Sequence, residues 1–169
     1  MVTIILTTGK LDMTSGVKVC DDVKNIITKM KVVKSDDAEE DRIRLLILVI
    51  DTGEIKIEKC LLQKDVEGEA DVFKLVVSLM KPEKCCYLLY DCHFETKESS
   101  RKEELVFMLW ASDTAKIGEK MIYASSKSSL NNLLDGVKHR LQINDIADMD
   151  RADFAKRLGN VVKLEGNSV

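Results

Sequence analysis

The run Arg44-Leu45-Leu46-Ile47-Leu48-Val49-Ile50 is apolar at odd and even positions alike, and this constrains the chain most. A strand wet on one side alternates; a strand apolar on both sides must be covered on both. This segment therefore belongs in the middle of a sheet, with other elements packed over each face. Asp51-Thr52-Gly53-Glu54 then supplies turn residues, and Ile55 and Ile57 alternate with charged neighbours, so a hairpin follows.

The remaining elements supply the cover. Val23, Ile26, Ile27 and Met30 recur at helical spacing behind Asp21 or Asp22, either of which can cap the helix. Val32-Val33 begins an extended segment, and Asp36 to Arg42 reads as a charged link or short helix. Asp71 precedes Val72, Leu75, Val76 and Leu79, a second amphipathic helix, with Pro82, the only proline, beyond its end. Cys85 to Glu95 and Leu105 to Ala111 are strands joined by the polar stretch Thr96–Glu104; Phe107 and Trp110 read as core. Ile117 through Leu134 fits one long helix stopped near Gly136. On it Lys120 and Lys127 share nearly one face, and Ile122 and Leu130 turn to the core. Val137 to Ile143 is a further strand. A short helix from Asp150 or Asp153 reaches Leu158, followed by Gly159. The order predicts an α/β fold, a central mixed β-sheet flanked by helices on both faces.

With 169 residues this is one domain. A net charge of −3 offers no field for a polyanion, so nucleic acid is not an expected partner. No apolar run approaches the ~20 residues that span a bilayer. The opening Met1-Val2-Thr3-Ile4-Ile5-Leu6 lacks the basic flank of a secretory signal, so a cytoplasmic location is expected. Five cysteines, Cys20, Cys60, Cys85, Cys86 and Cys92, form no CxxC pair and read as reduced thiols. Adjacent Cys85 and Cys86 point to opposite faces of a strand, and His93 and His139 have no zinc-ligand spacing. Neither a metal nor a cofactor is expected. A thiol-based redox protein using Cys85, Cys86 or Cys92 is an alternative that requires a CxxC motif or a cysteine at a helix amino terminus.

Several stretches, in order, resemble the actin-depolymerising factor/cofilin family. They are Met13-Thr14-Ser15-Gly16-Val17, Tyr90-Asp91 with Glu95-Thr96-Lys97-Glu98-Ser99, and Leu105-Val106-Phe107 with Trp110-Ala111. Lys120-Met121-Ile122-Tyr123-Ala124-Ser125-Ser126-Lys127, Val137-Lys138-His139 with Leu141-Gln142, and Leu158-Gly159 complete the set. The resemblance implies a single ADF-homology domain over residues 13–169. Residues 1–12 precede it as a disordered extension or expression remnant, and Met13 can be a native start.

The resemblance further implies a non-enzymatic protein of the actin cytoskeleton with no catalytic residues. It would bind monomeric and filamentous actin, prefer the ADP-bound form, and sever or depolymerise filaments. A domain that only sequesters monomers is the alternative. Residue by residue, the actin-binding positions are Ser15, Gly16, Lys120, Met121, Ser126 and Lys127. The filament-binding positions are Arg101, Lys102, Lys156 and Arg157. Ser15 matches an inhibitory phosphorylation site, which implies a regulatory kinase and phosphatase. Lys138, His139 and Glu104 match a phosphoinositide-binding and pH-sensing site, with Glu104 paired to His139.

Three departures from the family pattern stand out. Gly118 replaces a lysine two residues before Lys120. Asn131-Asn132-Leu133 replaces a lysine cluster, which weakens attraction to phosphoinositide lipids. The region Asp36–Arg44 is acidic where vertebrate relatives carry a basic nuclear signal.

Overall fold

A computed structural model describes residues 16–32 and 38–169. The extension 1–12, Ser15 and the Val33 end of the extended segment lie outside the described residues. The central strand forms as its pattern requires. β2 (Ile43–Asp51) places Leu45 and Ile47 in one buried cluster and Leu46 and Leu48 in another, on opposite faces. The hairpin to β3 (Glu54–Leu62) turns through Thr52 and Gly53 at φ 49° and 77°, the left-handed pair of a type I′ turn.

β1 (Lys18–Val19) pairs parallel with β3, while β2 pairs antiparallel with β4 (Cys85–Thr96). β4 runs antiparallel to β5 (Lys102–Ala111), and β6 (His139–Ile143) closes that edge in parallel. The sheet order is β1-β3-β2-β4-β5-β6. Two strands absent from the sequence reading, β7 (Val161–Leu164) and β8 (Asn167–Ser168), form a carboxy-terminal hairpin. β7 pairs with Phe94, Glu95 and Thr96, beyond the stretch of β4 that β2 occupies.

Helices cover both faces. α1 (Asp21–Lys31) buries Val23 and Ile27, and α4 (Ile117–Ser126) buries Tyr123, against Leu46, Tyr87 and Phe107. The short α2 (Gln63–Val66) follows β3 directly. On the opposite face α3 (Val72–Ser78) brings Phe73 and Val76, and α5 (Arg151–Leu158) brings Phe154 and Leu158, against Leu88, Tyr90 and Met108. Asp71 and Asp150 cap α3 and α5 with their carboxylates, each accepting two backbone N–H groups. Cys85 and Cys86 fall in opposite clusters, as strand alternation requires.

The long helix over 117–134 is not continuous. The α-helix ends at Ser126, a 3-10 turn runs Lys127–Leu130, and further turns lead to Gly136 at φ 88°. The serines account for the break: Ser125 Oγ donates to Ile122 O at 3.2 Å and Ser128 Oγ to Ser125 O at 3.1 Å, offering the backbone alternatives to helix. Lys127 therefore sits in the 3-10 turn that follows α4. Ile122, expected in the core, is 44% exposed because Tyr123 takes the inward position.

Arg44, at 3% exposure, is the buried charge that fastens the carboxy terminus. Its guanidinium donates to both oxygens of Glu165, at 2.7 and 2.6 Å, to Gln63 Oε1 at 2.8 Å and to Asp91 O at 3.1 Å. Tyr90 Oη and the His93 N–H donate to Glu165 as well. Glu165 and Gly166 form the left-handed two-residue turn between β7 and β8, at φ 52° and 83°.

Candidate functional site

α4 is held from beneath and open above. The Tyr123 ring packs 5.2 Å from Tyr87, and Tyr87 Oη donates to Tyr123 O at 2.6 Å. Tyr123 Oη accepts the Ile50 N–H at 2.8 Å, tying the helix to the end of β2. Glu119 reaches down to accept the Cys85 N–H at 3.2 Å. Tyr123→Phe leaves that Ile50 donor without its acceptor and is expected to cost about 1–3 kcal/mol in urea unfolding.

The outward face is apolar and cationic. Ile117 is 72% and Met121 64% exposed, one helical turn apart, with Lys120 between them. Large exposed apolar side chains grouped on one helix face mark an interaction surface. The sequence marked Ile117 only as the start of the helix, with no signal that set it apart as a surface residue. Ser126, by contrast, is fully buried beneath the helix end, where it supports the turn and offers no surface. Lys127 is half-buried and lines a cavity of about 340 Å³ with Phe107, Asn131 and Arg140.

The amino-terminal segment lies against this region. Ser129 Oγ in the 3-10 turn donates to Val17 O at 3.2 Å, and the Lys18 N–H donates to Gly53 O at 3.0 Å. Gly16 adopts φ 81°, a left-handed conformation that side chains disfavour. Gly16 is thus brought near the α4 end.

A second group gathers at the far end of β4. Arg101 and Lys102 stand exposed beside the hairpin tip, Arg101 3.2 Å from Glu103 and Lys102 3.8 Å from Glu104. β7 pairs with Glu95 and Thr96 next to that tip, and α5 packs on β7 with Lys156 and Arg157 outward. The two groups are separated by the length of β4 from Cys85 to Phe94, about 30 Å at 3.3 Å per residue.

A third group is assembled by register. Parallel pairing of Val106 with His139 sets His139 Nε2 2.8 Å from Glu104 Oε1, and Lys138 Nζ 3.2 Å from Glu104 Oε2. Burial raises the Glu104 pKa, but hydrogen bonds from His139 and Lys138 and their charges outweigh it and hold the carboxyl below its ordinary 4.5. A depressed carboxylate contributes stability in full above its unfolded-state pKa and loses it as pH falls through the folded value. Stability should therefore fall below about pH 4.5, and His139→Ala should move the Glu104 pKa upward in an NMR titration.

The Cys85, Cys86 and Cys92 thiols carry no sign of nucleophilic activation. Burial foremost pushes Cys85 up to about 11 and Cys86 up to about 12, and Cys92 is raised as well. A reactive cysteine needs the opposite shift.

The family model for cofilin/tropomyosin-type actin-binding proteins matches residues 16–159, most of the chain. The chain belongs to this family. The solved cofilin of Streptomyces griseoflavus is similar at 25% identity and TM-score 0.66, over 84% of this chain and 98% of that one. Actin depolymerization factor 2 of Plasmodium berghei is similar at 24% identity and TM-score 0.70, over 85% and 97%. An ADF-like protein of Caenorhabditis elegans matches at 24% identity and TM-score 0.67, over 86% and 95%. Actin is thus the partner class of this cofilin-type domain, and its mixed sheet with helices on both faces is the ADF-homology fold. Among the described residues no helix is long and apolar enough to cross a membrane.

Proposed function

We propose that this cofilin-type protein binds monomeric and filamentous actin, prefers the ADP-bound form, and severs or depolymerises filaments. The observation that carries the reading is the outward face of α4, with Ile117 and Met121 exposed around Lys120 while Tyr123 locks the helix below. Met121 is unbranched and polarisable, suited to an apolar cleft on a partner. Gly16 and Lys127 extend this face. Arg101, Lys102, Lys156 and Arg157, about 30 Å away along β4, engage a second subunit in a filament.

No bond in actin is broken. A ligand that binds one filament state better shifts the filament toward that state, and boundaries with undecorated subunits break. The separate cationic group favours this over monomer sequestration, which needs only the α4 surface. In this reading the protein works in the cytoplasm on the actin cytoskeleton.

Regulation belongs to the same proposal. Phosphorylation of Ser15, the residue before Gly16 in the sequence, adds nearly two negative charges and repels an acidic partner. The Glu104–His139–Lys138 group senses pH through the imidazole and meets phosphoinositide headgroups through Lys138. With Asn131 and Asn132 in place of lysines, that lipid contact is the weaker of the two controls.

Charge reversal tests the two-surface arrangement. Arg101→Glu with Lys102→Glu should reduce pelleting with ADP-filaments by at least about tenfold while leaving monomer affinity within about twofold, since rim charges act locally. Equal loss of both would remove the filament-specific role of the hairpin tip.

A further inference from the structure

His93 is the polar side chain that the actin reading leaves unused. Strand alternation puts Asp91 and His93 on one face of β4, and register sets Glu103 of β5 directly across from His93. His93 Nε2 lies 3.6 Å from Asp91 Oδ1 and 3.9 Å from Glu103 Oε2. That nitrogen is buried and has no hydrogen-bond partner. A buried imidazole nitrogen between two carboxylate oxygens, bonded to neither, leaves room for a bridging water or ion.

We propose that Asp91, His93 and Glu103 form a binding site for a borderline first-row dication, of which Zn2+ is the type. Imidazole nitrogen with two carboxylate oxygens is a donor set such ions accept. Bonds of about 2.0–2.2 Å would put neighbouring ligands of a tetrahedral ion about 3.3–3.6 Å apart. The two separations from Nε2 match that edge to within a few tenths of an ångström, and the three ligand atoms all lie within 4.8 Å of one another.

Arg42 holds the carboxylates by their other oxygens, Glu103 Oε1 at 2.7 Å and Asp91 Oδ2 at 3.8 Å, so Oδ1 and Oε2 are left turned to the imidazole. Such outer contacts orient ligands. The Arg42 charge, and Arg101 at 3.2 Å from Glu103 Oε2, also oppose a dication. Binding should therefore be weaker than at a closed structural zinc site and should displace Arg101. Arg42, Asp91 and Glu103 line a cleft of about 580 Å³, and His93 and Arg101 line a second cavity of about 340 Å³.

Titrating the full-length protein with Zn2+ by calorimetry, alongside NMR of the His93 ring, tests the site. The proposal expects one equivalent bound, His93 ring nitrogen signals shifted on metal addition, and His93→Gln and Glu103→Gln each weakening binding by at least about tenfold. Co2+ should give a ligand-field spectrum without a thiolate-to-metal charge-transfer band. His139→Gln should leave affinity unchanged. A charge-transfer band, binding lost in His139→Gln, or His93 signals that respond to pH but not to metal would overturn it. The NMR readout uses the unaltered protein, so it decides even if a variant misfolds. Actin pelleting of the unaltered protein in metal-free buffer is a separate measurement, so either reading can fail alone.

Discussion

Replacing Glu165 with alanine is expected to destabilise the protein by about 3–5 kcal/mol, seen as a lower urea midpoint at unchanged slope. The side chains of Arg44 and Glu165 are only 4% and 5% exposed, so neither charge has water to fall back on. Removing the carboxylate strands the Arg44 guanidinium, the Tyr90 hydroxyl and the His93 N–H together. The β7–β8 turn also loses its side-chain anchor to the sheet, keeping the Glu165 N–H bond to His93 O and the β7–β4 pairing, and β7 carries α5 with Lys156 and Arg157. Arg44→Met combined with Glu165→Leu should recover much of the loss, since apolar replacement of both partners avoids an orphaned charge. If Glu165→Ala costs less than about 1 kcal/mol, the network does not hold the carboxy-terminal hairpin.

Lys120→Ala with Met121→Ala is expected to lower affinity for ADP-actin monomers roughly 30- to 150-fold, about 2–3 kcal/mol. Met121 at 64% exposure has little to lose in the free protein and much apolar surface to bury against a partner. Among the described residues the Lys120 ammonium makes one long contact, Nζ to Asp113 O at 3.4 Å, so its removal should leave folding stability within about 0.5 kcal/mol. The affinity loss then reports the surface rather than the scaffold. Ile117→Ala should add to it, being one turn from Met121 on the same face.

Much of this architecture could be read from residues 44–50, because a strand apolar on both sides admits few arrangements. The covering helices followed from spacing; Asp71 marked one start and Asp150, one of two candidates, another. The cap position of α1 is Cys20, without a side-chain cap, rather than Asp21 or Asp22. β7 and β8 escaped notice because four and two residues carry too little pattern to stand out, and their place depends on β4 extending past β2. The end of α4 was misjudged where hydrophobic period outweighed the serines at 125, 126, 128 and 129.

Site residues divide in the same way. Lys120, Met121, Arg101, Lys102, Lys156 and Arg157 came from resemblance, since exposed charges carry no spacing signal of their own. Ser126 came the same way, and burial removes it from the surface. The Asp91–His93–Glu103 group could not be found from ligand spacing, because the register of β4 against β5 brings its third member in.

The most direct test of the two-surface account measures monomer and filament affinity side by side for the Lys120→Ala/Met121→Ala and Arg101→Glu/Lys102→Glu variants. The account predicts that the first loses both affinities and the second loses filament binding alone. Wild-type monomer affinity in a folded Lys120→Ala/Met121→Ala variant would contradict it.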